Sequence, residues 1–133
     1  MTGRLLSALI LAAGLLIGVQ PLIAHHSETA EYDNTKPVKV TGVLKKVEWL
    51  NPHVWFYVDV KEANGSVTTW GFSTAPPGSL MRRGIPKSVF KIGEIVNVEG
   101  SRARDGSNNA SGRRVTFADG RNVMTAPGEG AER

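Results

Sequence analysis

Cysteine is absent from this chain, and histidine and tryptophan occur only three times each. Without cysteine there are no disulfide staples, no thiolate metal sites and no thiol nucleophile. Catalytic signatures are missing too. There is no Gly-x-Ser-x-Gly elbow, no phosphate-binding loop and no His-Glu-x-x-His pair. Nearby carboxylates such as Asp59 and Glu62 fall at a strand end and turn, with no pattern suggesting a cleft. These absences point away from an enzyme. No internal repeat or heptad is present. Long apolar runs are absent beyond the first 24 residues.

That first segment holds 16 hydrophobic residues. Arg4 precedes the apolar run Leu5–Val19, which Gln20 and Pro21 end, and Leu22-Ile23-Ala24 offers a cleavage site. A run of about 15 residues suits a secretory leader, whereas a membrane span needs about 20. The expectation is an exported protein, periplasmic or secreted, with no membrane span after cleavage; an uncleaved anchor is the alternative. Cleavage after Ala24 makes His25 the new N-terminus and lowers the formal charge from +4 to +3. An exported chain meets no cytosolic nucleic acid, so its basic balance suits an anionic surface better than DNA or RNA.

The remaining 109 residues are patterned for strands. Residues 25–37 lack apolar periodicity and read as an arm. Val38, Val40, Leu44 and Val47 open the first strand, with Gly42 marking a bulge. His53–Lys61 alternates, placing Val54, Phe56 and Val58 on one face and Trp55 and Tyr57 on the other. Asn64-Gly65 predicts a hairpin turn into Ser66–Ser73. A short helical insertion at Ser79–Arg83, capped by Ser79 and closed by Gly84, follows. Ile95–Arg102, Gly112–Ala118 and Asn122–Met124 complete the strands. The predicted class is all-β: a small OB-like barrel of five to six strands spanning 38–125, with the helical insertion after strand three. A two-sheet sandwich is the alternative. Residues 126–133 read as a disordered tail.

His25-His26-Ser27, Tyr32-Asp33, Lys36-Pro37-Val38, Glu48-Trp49, Asn51-Pro52-His53-Val54-Trp55 and Trp70-Gly71-Phe72 form an ordered series of motifs. It continues through Arg82-Arg83-Gly84, Lys91-Ile92-Gly93-Glu94 and Asp119-Gly120-Arg121. The series resembles the exported bacterial domain-of-unknown-function family 6152. That resemblance implies export and a small β-barrel-like domain, and brings no activity with it.

Two constellations carry chemistry. The α-amino group and imidazole of a mature N-terminal His25 can chelate one ion. A third nitrogen from His26 or His53 makes the set suit copper(II). Zinc requires a further ligand such as Asp33 or Glu28. The second constellation is aromatic and basic. Trp49, Trp55, Tyr57 and Trp70 lie on or beside the first three strands, with Asn51 in the turn between them and Arg82 and Arg83 on the helical insertion. Cross-strand contact between the Trp55/Tyr57 pair and Trp70 is expected. The leading expectation is therefore a non-enzymatic binding or accessory protein of the cell envelope that holds copper through His25, His26 and His53. Its partner is an envelope protein or small ligand. The alternative is an interaction module that grips a peptide, glycan or protein through its aromatic and basic face.

Overall fold

The computed structural model describes residues 28–127. The segment expected to be a leader and the His25-His26 pair lie outside the described residues. A single turn of helix, α1 (Glu28–Glu31), leads into β1 (Tyr32–Glu48). Then come β2 (Trp55–Lys61), β3 (Val67–Ser73), α2 (Pro77–Arg82), a 3-10 turn at Lys87–Val89, β4 (Ile95–Ala103), β5 (Asn109–Phe117) and β6 (Asn122–Met124).

The six strands form one mainly antiparallel sheet in the order β3-β2-β1-β4-β5-β6. A parallel pairing of Gly71, Phe72 and Ser73 with Asn109, Ala110 and Ser111 joins β3 to β5. Five strands thereby close into a hydrogen-bonded ring, with a short helix after β3, in place of the two separate sheets of a sandwich. Closure depends on β1, which serves both neighbours. Val43 pairs with Ile95 of β4 and with Asp59 of β2. Gly42 stands beside it, where a side chain would strike the Asp59 backbone.

Alternation into and along β2 places Val54, just before the strand, and Phe56 and Val58 within it in the core. Phe56 stacks on Phe72 at 5.2 Å and on Phe90 at 5.8 Å. Leu44, Val96, Val98 and Val115 are among the other residues of this core. Leu80 of α2, with Ile85 and Phe90 of the following loop, joins the same buried cluster. Each fully buried aliphatic or aromatic side chain stabilises the fold by ~1.5–3 kcal/mol relative to exposure. With no disulfide, this packing and the strand ladders hold the domain together.

Some boundaries differ from the sequence pattern. β1 begins at Tyr32, well ahead of Val38, because Tyr32 and Asp33 pair with Ala103 and Arg102. The register shifts between Asp33 and Pro37, which accommodates a residue with no N–H to donate. β5 likewise begins at Asn109, since its first three residues form the seam with β3. Helix α2 starts with Pro77 in its first turn and no side-chain cap, so Ser79 does not cap it. Proline's fixed φ preorganises that position. Gly84, at φ +76°, ends the segment as expected. The chain stays packed past Met124: Thr125 and Ala126 are buried, and the Ala75 N–H donates to the Thr125 carbonyl at 3.0 Å.

Candidate functional site

The β2–β3 register decides which aromatics share a face. Phe56 lies opposite Phe72 and Val58 opposite Trp70, so Trp70 belongs to the inner face. It packs on the core beside Phe72, with the Arg102 guanidinium 5.4 Å above its ring. Trp55 and Tyr57 lie opposite Ser73 and Gly71 on the outer face. The expected contact between Trp70 and the Trp55/Tyr57 pair is therefore absent, because one residue of register separates the two faces. Trp49 also turns inward, 6.3 Å from Phe90 at another point of the core.

What remains outside is a compact platform. Trp55 and Tyr57 are half-buried, with ring centroids 6.3 Å apart and planes 21° from parallel. Gly71 makes room for them. A Cβ there would lie 3.4 Å from both rings and 2.5 Å from the Asn109 Oδ1. Tyr57 donates its hydroxyl to Glu48 at 3.0 Å, and Lys46 binds the same carboxylate. Those two hydrogen bonds, Lys46 first, hold the Glu48 carboxyl below its ordinary range. Burial, then the Glu48 carboxylate, pushes the Tyr57 phenol up, so it remains a donor.

Beside Trp55 opens a concavity of about 460 Å³. Its walls are α1 and the start of β1 (Ala30, Glu31, Tyr32) and the β4–β5 hairpin (Ala103, Arg104, Asp105, Asn109). Arg104 is held by donating to the Thr29 carbonyl at 3.0 Å and by Asp33 at 3.9 Å. Asp105 accepts from the Ser107 N–H at 2.9 Å. Bonding to Ser107 keeps the Asp105 carboxyl low and ionised. In the sequence Arg104 reads only as one of several basic residues flanking the last hairpin, and Asp105-Gly106-Ser107-Asn108 only as a turn.

Arg82 and Arg83 are not among the residues that line this concavity. Arg83 donates to the Met124 carbonyl at 3.3 Å and ties α2 to β6. Arg82 is exposed on the same helix, and Asn51 is exposed in the β1–β2 turn.

His53 is exposed, yet its ring is oriented. Nδ1 lies 2.8 Å from the Thr74 carbonyl, which can only accept. In the neutral ring this fixes the proton on Nδ1 and leaves the Nε2 lone pair open. A small cleft joins His53 to Glu28, Glu31, Tyr32, Ser73 and Ser111. The Ser111 hydroxyl donates to Glu28 across it. Among the described residues there is no group of three histidine or carboxylate side chains placed to hold a metal ion. His25 and His26 lie outside the described residues. Among the described residues, too, no helix is long and apolar enough to cross a membrane.

Comparison with known proteins gives one match. The model of a family described as "Family of unknown function (DUF6152)" covers residues 13–113. No curated protein and no solved structure matches the chain at a significant level.

Proposed function

The chain belongs to that family of unknown function, and we propose that it is an exported, non-enzymatic binding or accessory protein of the cell envelope, built on an OB-like barrel and holding copper through His25 with His26 and His53. The supporting observation is the orientation of His53. Metal-binding histidines commonly donate one ring N–H to a carbonyl and present the other nitrogen to the ion. The His53–Thr74 bond has that form. Glu28 borders the same cleft, and His26 precedes it by two residues, a span of at most about 7 Å of chain. With residues 1–24 removed, the amino terminus and the His25 and His26 imidazoles would be separated from that cleft by only this short stretch of chain. Copper(II) is the ion such nitrogen ligands favour.

Calorimetric titration of the protein beginning at His25 tests this. Copper binds tighter than micromolar, and His25→Ala and His53→Ala each weaken it at least tenfold. Affinity no tighter than micromolar in the parent protein refutes the copper site. A mature chain that keeps residues 1–24 refutes the amine ligand.

A second reading, an interaction module, draws support from a separate observation: the outer Trp55–Tyr57 platform across Gly71. OB-folds bind ligands on strands two and three and on the loop between strands four and five. On the OB-like reading, Trp55 and Tyr57 on β2 and the β4–β5 hairpin would correspond to those positions.

A further inference from the structure

We infer that the concavity beside Trp55 is a binding site for neutral pyranose oligosaccharides; this rests on the interaction-module reading and deepens it. The platform is amphipathic. The Trp55 indole lines the 460 Å³ concavity, and the Tyr57 ring lies beside it with its plane 21° from parallel. Pyranose rings present an apolar face of C–H groups to such a surface and a rim of hydroxyls to its surroundings. Around Trp55 the rim groups match. Asn109 offers an amide donor and acceptor, Arg104 offers donors, and Asp105 and Glu31 offer carboxylate acceptors. The volume falls in the ~300–1,000 Å³ range of small-molecule sites, which are mostly apolar with a few convergent polar groups.

Other ligand classes fit less well. An extended peptide commonly docks by adding a strand to an open sheet edge. Trp55 and Tyr57 lie on a strand paired on both sides, and Gly71–Ser73 are paired to both β2 and β5. No ladder is open there. An anionic polymer meets two carboxylates, Glu31 and Asp105, against the single guanidinium of Arg104. A protein partner needs roughly 20–30 residues a side, far more than this hollow offers.

The test is a panel titration of the purified protein followed by tryptophan fluorescence and calorimetry. The probes are cello-, chito-, malto- and manno-hexaose, a polygalacturonate oligomer, and a pool of extended peptides. Variants are Trp55→Ala and Asn109→Ala, with inner-face Trp70→Phe as control and circular dichroism confirming the fold of each. At least one neutral hexaose binds saturably, and Trp55→Ala weakens it at least tenfold and Asn109→Ala several-fold, with Trp70→Phe unchanged. If only a peptide or the anionic oligomer binds through Trp55, the oligosaccharide assignment fails and the interaction face stands. If no probe shows binding that depends on Trp55, both fail.

Discussion

Two glycines offer a controlled test of how this ring is closed. Gly42→Ala and Gly71→Ala are the same chemical change, each adding one methyl group to a strand. Their neighbours differ. At Gly42 the new Cβ would lie 2.2 Å from the carbonyl oxygen of Asp59 and 2.9 Å from its carbon, both backbone atoms of β2. Comfortable heavy-atom contacts are about 3.5–4 Å, so β1 and β2 must part by more than about 1 Å. No side-chain rotation relieves this. Overpacking costs ~1–3 kcal/mol and occasionally more, with a ladder bond of ~1 kcal/mol also at risk. The entropy gained on replacing glycine returns only ~0.5–1 kcal/mol. The expected net loss is about 1–3.5 kcal/mol, or roughly 4–28 °C of melting temperature for a domain of this size. At Gly71 the close atom is the Asn109 Oδ1, at 2.5 Å, the free end of a side chain. Its amide can turn away, losing a 3.2 Å bond to the Ser107 hydroxyl. That loss of ~1 kcal/mol is largely offset by the glycine entropy term, leaving a net cost under about 1 kcal/mol. Thermal and urea denaturation followed by circular dichroism measure both. The reasoning is refuted if Gly71→Ala costs as much as Gly42→Ala, or if Gly42→Ala melts within about 4 °C of the parent.

Two further outcomes follow from the core and the surface charges. Phe56→Ala, which removes a fully buried ring stacked between Phe72 and Phe90, lowers stability by ~3–5 kcal/mol in urea, whereas Leu50→Ala at an exposed position changes it by less than ~0.5 kcal/mol; equal effects would contradict the assigned core. Asp33, Glu48, Asp59, Asp105 and Asp119 are all held below the ordinary carboxylate range, chiefly by hydrogen bonds from Thr35, Lys46, Thr69, Ser107 and Arg121 respectively. Their contribution is therefore complete above the unfolded carboxylate pKa of about 4 and is lost as pH falls through the lower folded values. The melting temperature stays level from pH 7 to 5 and drops below about pH 4, less steeply in Asp59→Asn; a midpoint that rises on acidification would contradict the assigned bonds.

Local signals in the sequence located most strands because their residues alternate cleanly. Val54, Phe56 and Val58 announce the inner face of β2, and the Asn64-Gly65 turn, at φ +86° for Gly65, fixes the hairpin that follows. The bulge expected at Gly42 falls instead between Leu44 and Lys46, where β1 shifts register against β2, and Gly42 serves a close approach to the Asp59 backbone. The parts that escaped depend on partners distant in the chain. Tyr32–Pro37 has no apolar alternation, and it becomes strand only because β4 extends to Ala103 alongside it. The face of Trp70 was illegible for the same reason, since the register of β3 against β2 decides it. Of the site, Trp55 and Tyr57 could be named from alternation alone. Arg104 could be named only as one of several basic residues, and Asp105 and Asn109 not at all, because their approach to Trp55 is a product of the β3–β5 pairing and the position of α1.

That pairing links the site to the fold. The β3–β5 seam has three paired positions, against seven in β2–β3, so it is the shortest bond in the ring. Gly71 and Asn109 are themselves the first pair of the seam, and Ser73 and Ser111 the last. Trp55 approaches from β2 on one side, while the β4–β5 hairpin supplies the polar wall on the other. The concavity thus has its defined shape only when the ring is shut. A ligand that engages Trp55 and Asn109 together binds the closed ring in preference to any form in which the seam has opened, and by mass action it stabilises that closure. The region most exposed to local opening, by its few ladder bonds, is then the one that a bound ligand holds together.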